Sequence, residues 1–160
     1  MTGAILSWGC EGSTTDNLLR LVTRHRVSRV VDLRPKQVRT PGFGAERLET
    51  LLGVRGVGYE RRADLGPSPD LAAVGRLYTE ARSGHRLLVL GHEKLPADCR
   101  AQRGQLLSAI AGEAALYARS GMGRIIEAIE VLHFLGPARG TARFSAVNVM
   151  VEQLAATGTQ

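Results

Sequence analysis

Between Arg86 and Arg100 a short apolar run stops abruptly at Gly91, and His92, Glu93, Lys94, Asp98, Cys99 and Arg100 crowd in behind it. Leu87–Leu90 is too short for a buried helix and suits a central parallel strand covered on both faces. In open α/β sheets ligands sit beyond the carboxyl ends of such strands, so the segment after Gly91 is where chemistry is expected.

The rest of the chain repeats that grammar. Strand cores are expected at Ala4–Trp8, Arg29–Leu33, Gly56–Arg61, Arg86–Leu90 and Ile129–Leu135, with helical patterns between most of them. Ser13–Asp16 reads as a capping box before a helix that turns Leu18, Leu19, Leu21 and Val22 inward. Ala45–Leu52 is a shorter helix stopped by Gly53. Ser68–Asp70 opens another, with Leu71, Val74, Leu77 and Tyr78 at helical spacing and Gly84 past its end. A fourth is expected over about Gln102–Tyr117. Alternation of this kind predicts a Rossmann-like three-layer α/β sandwich, a parallel or mostly parallel sheet of about five strands with helices on both faces. The 160 residues suit a single domain with its core at 4–135. Residues 34–44 hold two prolines and two glycines and read as a long irregular loop. After Gly136 and Pro137 a helix-compatible pattern returns at about 146–155, expected to dock on the sheet or on a second copy in a homodimer.

Composition excludes more than it selects. With 44% hydrophobic and 22% charged residues the chain is ordinary for a globular protein. No apolar run approaches the ~20 residues that span a bilayer, and the start lacks a secretory pattern, so no membrane association and a cytoplasmic location are expected. Cys10 and Cys99 lie too far apart in sequence to suggest a disulfide framework or a zinc pair. The net charge of +6 invites an anionic partner, nucleic acid included. Yet the arginines are scattered, without a basic block or interleaved aromatics.

Four strand-end segments are expected to converge: Gly9–Thr14, Asp32–Pro35, Arg61–Gly66, and Gly91–Lys94 with Asp98–Arg100. The first offers backbone N–H groups and Ser13 or Thr14 at a helix start, suited to an anion. It is neither a Walker A loop, since no Gly-Lys pair follows, nor a cysteine-phosphatase loop, since Thr15 stands where an arginine is needed. Arg34 has two roles open to it: gripping a carboxylate or phosphate, or pairing with Asp32 or Glu60 to tie the loops together. If His92 faces Cys10 across neighbouring strand ends, the thiol is expected to have a lowered pKa and to act as a nucleophile, with Glu11, Glu93 or Asp32 orienting the histidine or moving protons. A buried, inert cysteine is the alternative. His92, Glu93 and Cys99 match no standard metal-ligand spacing, and His25 and His133 suit packing or surface roles.

These segments, in this order, resemble the bacterial family known as domain of unknown function 488 (DUF488). Members begin with a strand leading into Gly-His-Ser, then a Val-Asp-Val-Arg strand, then an apolar strand ending in Cys-Ala-Glu, then Cys-His-Arg opening a helix. Gly9, Cys10 and Glu11 stand at the first motif and Val31–Arg34 at the second. Tyr59 with Leu65 and Gly66 stands at the family's Tyr and Leu-Gly turn. Gly91–Glu93, Pro96, Cys99 and Arg100 stand at the last motifs, and Glu130–His133 resembles the closing strand. The departures are specific: Cys10 replaces the first histidine, Gly91 replaces the strand-end cysteine, and Arg103 restores the missing arginine only with a two-residue insertion. The resemblance implies a pocket at these loops without naming its ligand.

The expectation that follows is a small enzyme, a hydrolase or group transferase without a cofactor, acting on a small anionic, nucleotide- or sugar-like substrate. Cys10, Glu11, His92 and Glu93 are its catalytic candidates. Gly9, Ser13, Asp32, Arg34, Tyr59, Cys99, Arg100 and Arg103 are its substrate-binding candidates. No dinucleotide fingerprint points to redox chemistry. The competing expectation is a non-catalytic module that binds nucleic acid or another anion through surface arginines.

Overall fold

The computed structural model describes residues 3–35, 39–65, 69–92, 106, 109–110, 130–135 and 145–148. Six strands and three helices are formed by these residues: β1 Ala4–Gly9, α1 Thr15–Arg24, β2 Arg29–Asp32, α2 Ala45–Gly53, β3 Gly58–Arg61, α3 Leu71–Arg82, β4 Arg86–Gly91, β5 Glu130–Leu135 and β6 Ser145–Asn148. The strands make one sheet in the order β3-β2-β4-β1-β5-β6. Neighbours from β3 to β5 run parallel, and β6 is antiparallel to β5.

Burial follows from position in that sheet. Every residue of β1 is buried, as are Leu87–Gly91 of β4, because parallel strands flanked by strands and helices have no wet face. β3, at the edge, has no fully buried residue, which accounts for its polar sequence Gly-Tyr-Glu-Arg. Alternation along the strands divides the core between two faces. Leu6, Trp8, Val30, Leu88 and Leu90 point to one face and meet Leu18, Leu21 and Val22 of α1 and Leu48 and Leu52 of α2. Ile5, Val31, Leu87 and Val89 point to the other and meet Ala73, Val74, Leu77, Tyr78 and Ala81 of α3, with Leu106 and Ile110. Each fully buried leucine contributes roughly 1.5–3 kcal/mol relative to exposure. The result is the Rossmann-like α/β sandwich the alternating pattern implies.

Several boundaries differ from expectation. α1 is capped by Thr14, whose hydroxyl accepts the Asn17 N–H at 3.3 Å, one residue beyond the expected Ser13. α3 is capped by Asp70, which accepts from Ala72 at 3.3 Å. Leu71 is 68% exposed rather than inward, because the first helical position sits off the buried stripe formed by Val74, Leu77 and Tyr78. Residues 54–56 form a turn, so β3 begins at Gly58 and not at Gly56. The main correction concerns the tail. Ser145–Asn148 is a sixth strand, where a helix was expected over about 146–155. Paired with β5, it satisfies backbone groups that a sheet edge would leave open, and tertiary pairing of this kind overrides weak helix propensity. Residues 149–160 lie outside the described residues, as do most of those in the expected fourth helix; Leu106, Ala109 and Ile110 are helical there.

No helix of the described residues is long and apolar enough to cross a membrane.

Candidate functional site

The chain diverges at the carboxyl end of β4. Its neighbours β1 and β2 lead to α1 and α2 on one face, whereas the chain after β4 leads to Leu106 and Ile110 on the other. Ligands of open α/β sheets bind where successive connections part in this way. Cys10 and His92 follow β1 and β4 directly, and the ladder extends through them: the Cys10 N–H donates to Gly91 O at 3.0 Å and the Glu11 N–H to His92 O at 2.8 Å. Residues 10–13 then fold into a turn closed by the Ser13 N–H on Cys10 O at 3.0 Å, which delivers the chain to the start of α1. Among the described residues the Ser13 hydroxyl is buried there without a partner. Glu11 is exposed and His92 half-buried.

The loop after β2 brings a residue that the sequence reading did not single out. Thr40, Pro41, Gly42 and Phe43 form a turn in which the Phe43 N–H donates to Thr40 O at 3.0 Å. Proline suits the second position, and Gly42, at φ +81°, occupies the third, where L side chains are strained. The turn holds Thr40 Oγ1 2.8 Å from His92 Nδ1 and 3.8 Å from Cys10 Sγ. Cys10 and His92 thus meet through a hydroxyl. The short spacing from proline to glycine was the signal available for this turn; nothing in the sequence says which strand end Thr40 reaches.

The lowered thiol pKa expected for Cys10 is corrected. Burial pushes the thiol up, against the opposing influence of the Arg34 charge and the Thr40 contact. Cys10 is fully buried and, among the described residues, in no disulfide.

Beside it, Asp32 and Arg34 form a buried pair. Arg34 donates from Nε to Asp32 Oδ1 at 2.9 Å and from Nη2 to Oδ2 at 2.7 Å, while its backbone N–H reaches Oδ1 at 2.9 Å. Nη2 also donates to Phe43 O at 2.7 Å, which fastens the same turn that carries Thr40. The Tyr59 hydroxyl donates to Asp32 Oδ2 at 2.6 Å. Burial works against the Arg34 charge, but the hydrogen bonds and charge of Asp32 outweigh it and hold its pKa above the ordinary guanidinium value. Of the two roles open to Arg34, this geometry is the tie between loops: Nε and both Nη2 hydrogens are taken, and among the described residues only Nη1 remains. Glu60 pairs instead with Arg29 at 3.5 Å and Arg62 at 3.3 Å. Arg61 closes the cluster, its Nη2 donating to Arg34 O at 3.3 Å.

Gly9, Cys10, Glu11, Ser13, Asp32, Arg34, Tyr59 and His92 are therefore gathered at one end of the sheet, in two linked groups. Glu93, Cys99, Arg100 and Arg103 lie outside the described residues. Among the described residues no three His, Cys, Asp or Glu side chains are grouped so as to hold a metal.

No protein-family model matches the chain, and no curated protein matches it. Among solved structures it is similar to a de novo designed protein with a P-loop NTPase fold, at 16% identity and a TM-score of 0.41 over 82% of this chain. The chain spans 65% of that design's length.

Proposed function

We propose that this chain is a small cytoplasmic enzyme, a hydrolase or group transferase, whose anionic, nucleotide- or sugar-like substrate sits at the carboxyl ends of β1 and β4, and that it is a divergent relative of DUF488. The observation that carries the reading is His92. It stands where the sheet's connections part, and its Nδ1 is held by Thr40, which leaves Nε2 as the ring atom for a ligand. Glu11, exposed beside it, is the carboxylate that can move a proton there, and Glu93 follows directly in the chain. The thiol of Cys10, buried and protonated, supports the loop and is not the nucleophile. An anion would be met by His92 and the N–H groups of the first turn of α1 that Thr14 does not cap, with Arg34 fixing the loops behind them. The convergence of Gly9–Glu11, Asp32, Arg34, Tyr59 and His92, which stand at DUF488-like motif positions, is what supports the kinship.

A thermal-shift panel of nucleotides, nucleosides, sugar phosphates and short oligonucleotides, at low and high salt, tests this. A small ligand at ~100 times its Kd adds about 2.7 kcal/mol to the folded state. A selective, salt-tolerant shift from one small molecule, lost in His92→Gln, is expected. A shift from oligonucleotides alone that vanishes at high salt would replace the enzyme reading with an electrostatic nucleic-acid-binding module.

A further inference from the structure

The Cys10–Thr40–His92 contact has a direction, and the direction decides what His92 can offer a ligand. Thr40 Oγ1 lies 2.8 Å from His92 Nδ1, a full-strength hydrogen bond, and 3.8 Å from Cys10 Sγ. A hydroxyl has one hydrogen and two lone pairs. Sulfur is a weak acceptor and an imidazole nitrogen a strong one, and among the described residues no other acceptor meets Oγ1, so a satisfied hydroxyl hydrogen goes to Nδ1 and the Cys10 S–H donates to a remaining lone pair of Oγ1. We infer that Thr40 is a positioning residue that locks His92 in its Nε2–H tautomer, so that the neutral ring presents a hydrogen-bond donor to the strand-end site. Phe43 O on Arg34 and the Thr40–Phe43 turn hold the hydroxyl in place from the other side. A donor at that position selects for an electron-rich oxygen, as on a phosphate or carboxylate, over a cationic or purely apolar ligand; this last step rests on the proposed function, whereas the tautomer does not.

The test is long-range nitrogen–proton NMR of the ligand-free protein in alkaline buffer, where ordinary imidazoles are neutral. The chain has four histidines, and a His92→Gln spectrum assigns the one of interest. Nδ1 of His92 is expected at the shift of an unprotonated nitrogen and Nε2 at that of a protonated one. Thr40→Val should move both toward the averaged shifts of a tautomer mixture. Thr40→Ser should restore the wild-type pattern, and Cys10→Ala should leave it in place. A wild-type Nδ1–H tautomer, or a Thr40→Val spectrum identical to wild type, would overturn the inference. The wild-type spectrum decides the direction even if Thr40→Val fails to fold. No substrate is needed, so a silent thermal-shift panel would sink the enzyme reading alone, and a wrong tautomer would sink this one alone.

Discussion

Replacing Asp32 with asparagine should be among the most damaging single changes available in this chain. The carboxylate is fully buried and accepts from Arg34 Nε, Arg34 Nη2, the Arg34 backbone and Tyr59, two donors on each oxygen. An amide has only one acceptor oxygen, so in either orientation its amino group faces two donors that pointed at an oxygen. It also leaves the Arg34 guanidinium, whose side chain is 1% exposed, without its counter-charge. Breaking a buried pair by removing one partner costs about 3–5 kcal/mol, a large share of the ~5–15 kcal/mol that holds a domain together. With a urea m-value of ~2 kcal/mol/M, the unfolding midpoint of Asp32→Asn should fall by about 2 M. Adding Arg34→Met removes the stranded charge, so the double variant should be less destabilised than the two single effects summed, by more than ~1 kcal/mol. A drop of less than about 0.5 M for Asp32→Asn would refute the reasoning, because ~1 kcal/mol is what a solvent-screened surface pair supplies.

Tyr59→Phe deletes one hydrogen bond to the same carboxylate and should cost about 1.5–3 kcal/mol at neutral pH. Burial, then the contact with Asp32, raises the Tyr59 pKa above its ordinary 10.0; the phenol's contribution is therefore full below about pH 10 and lost as pH climbs toward the folded-state value, so urea midpoints of wild type and Tyr59→Phe should converge in strong alkali. In a Cys99→Ser background, Cys10 should react with a thiol reagent at pH 8 only as fast as the protein opens, and rapid labelling of the folded protein would contradict its burial. Gly42→Ala meets open space but must hold φ at +81°, so it should lower stability by about 1–2 kcal/mol in a denaturant titration. Gly3→Ala should be far worse, since a Cβ there overlaps the Ala81 carbonyl where β1 enters against the end of α3.

What was legible in the sequence was whatever one periodicity decided alone. Leu87–Leu90 could only be an enclosed strand, and Leu18, Leu21 and Val22 could only face a core, so the two-faced sheet followed. The meeting of Cys10 and His92 was legible only as a condition on strand order, and the pairing of β1 with β4 met that condition. Thr40 was not, since its role depends on how far a loop rich in proline and glycine folds back, and no repeat encodes that distance. Arg34 could not be assigned either: a buried tie and an anion clamp call for the same residue at the same place, and only the positions of Asp32 and Phe43 O separate them. The tail failed for another reason. Val147, Val149 and Val151 alternate as a strand does, but the segment also suits a helix, and the open edge of β5 decided between them.

Phe43 sits at the far end of the Thr40 turn with its ring against Trp8, centroids 5.9 Å apart and planes tilted by 54°. Trp8 is the chain's single tryptophan, buried on β1 two residues before Cys10. The molecule therefore carries its own optical gauge: the indole emission reads the position of the loop that tethers His92, without a label, and a ligand that draws Thr40 by even part of an ångström must pass that displacement through Phe43 to the only fluorophore of its kind in the chain.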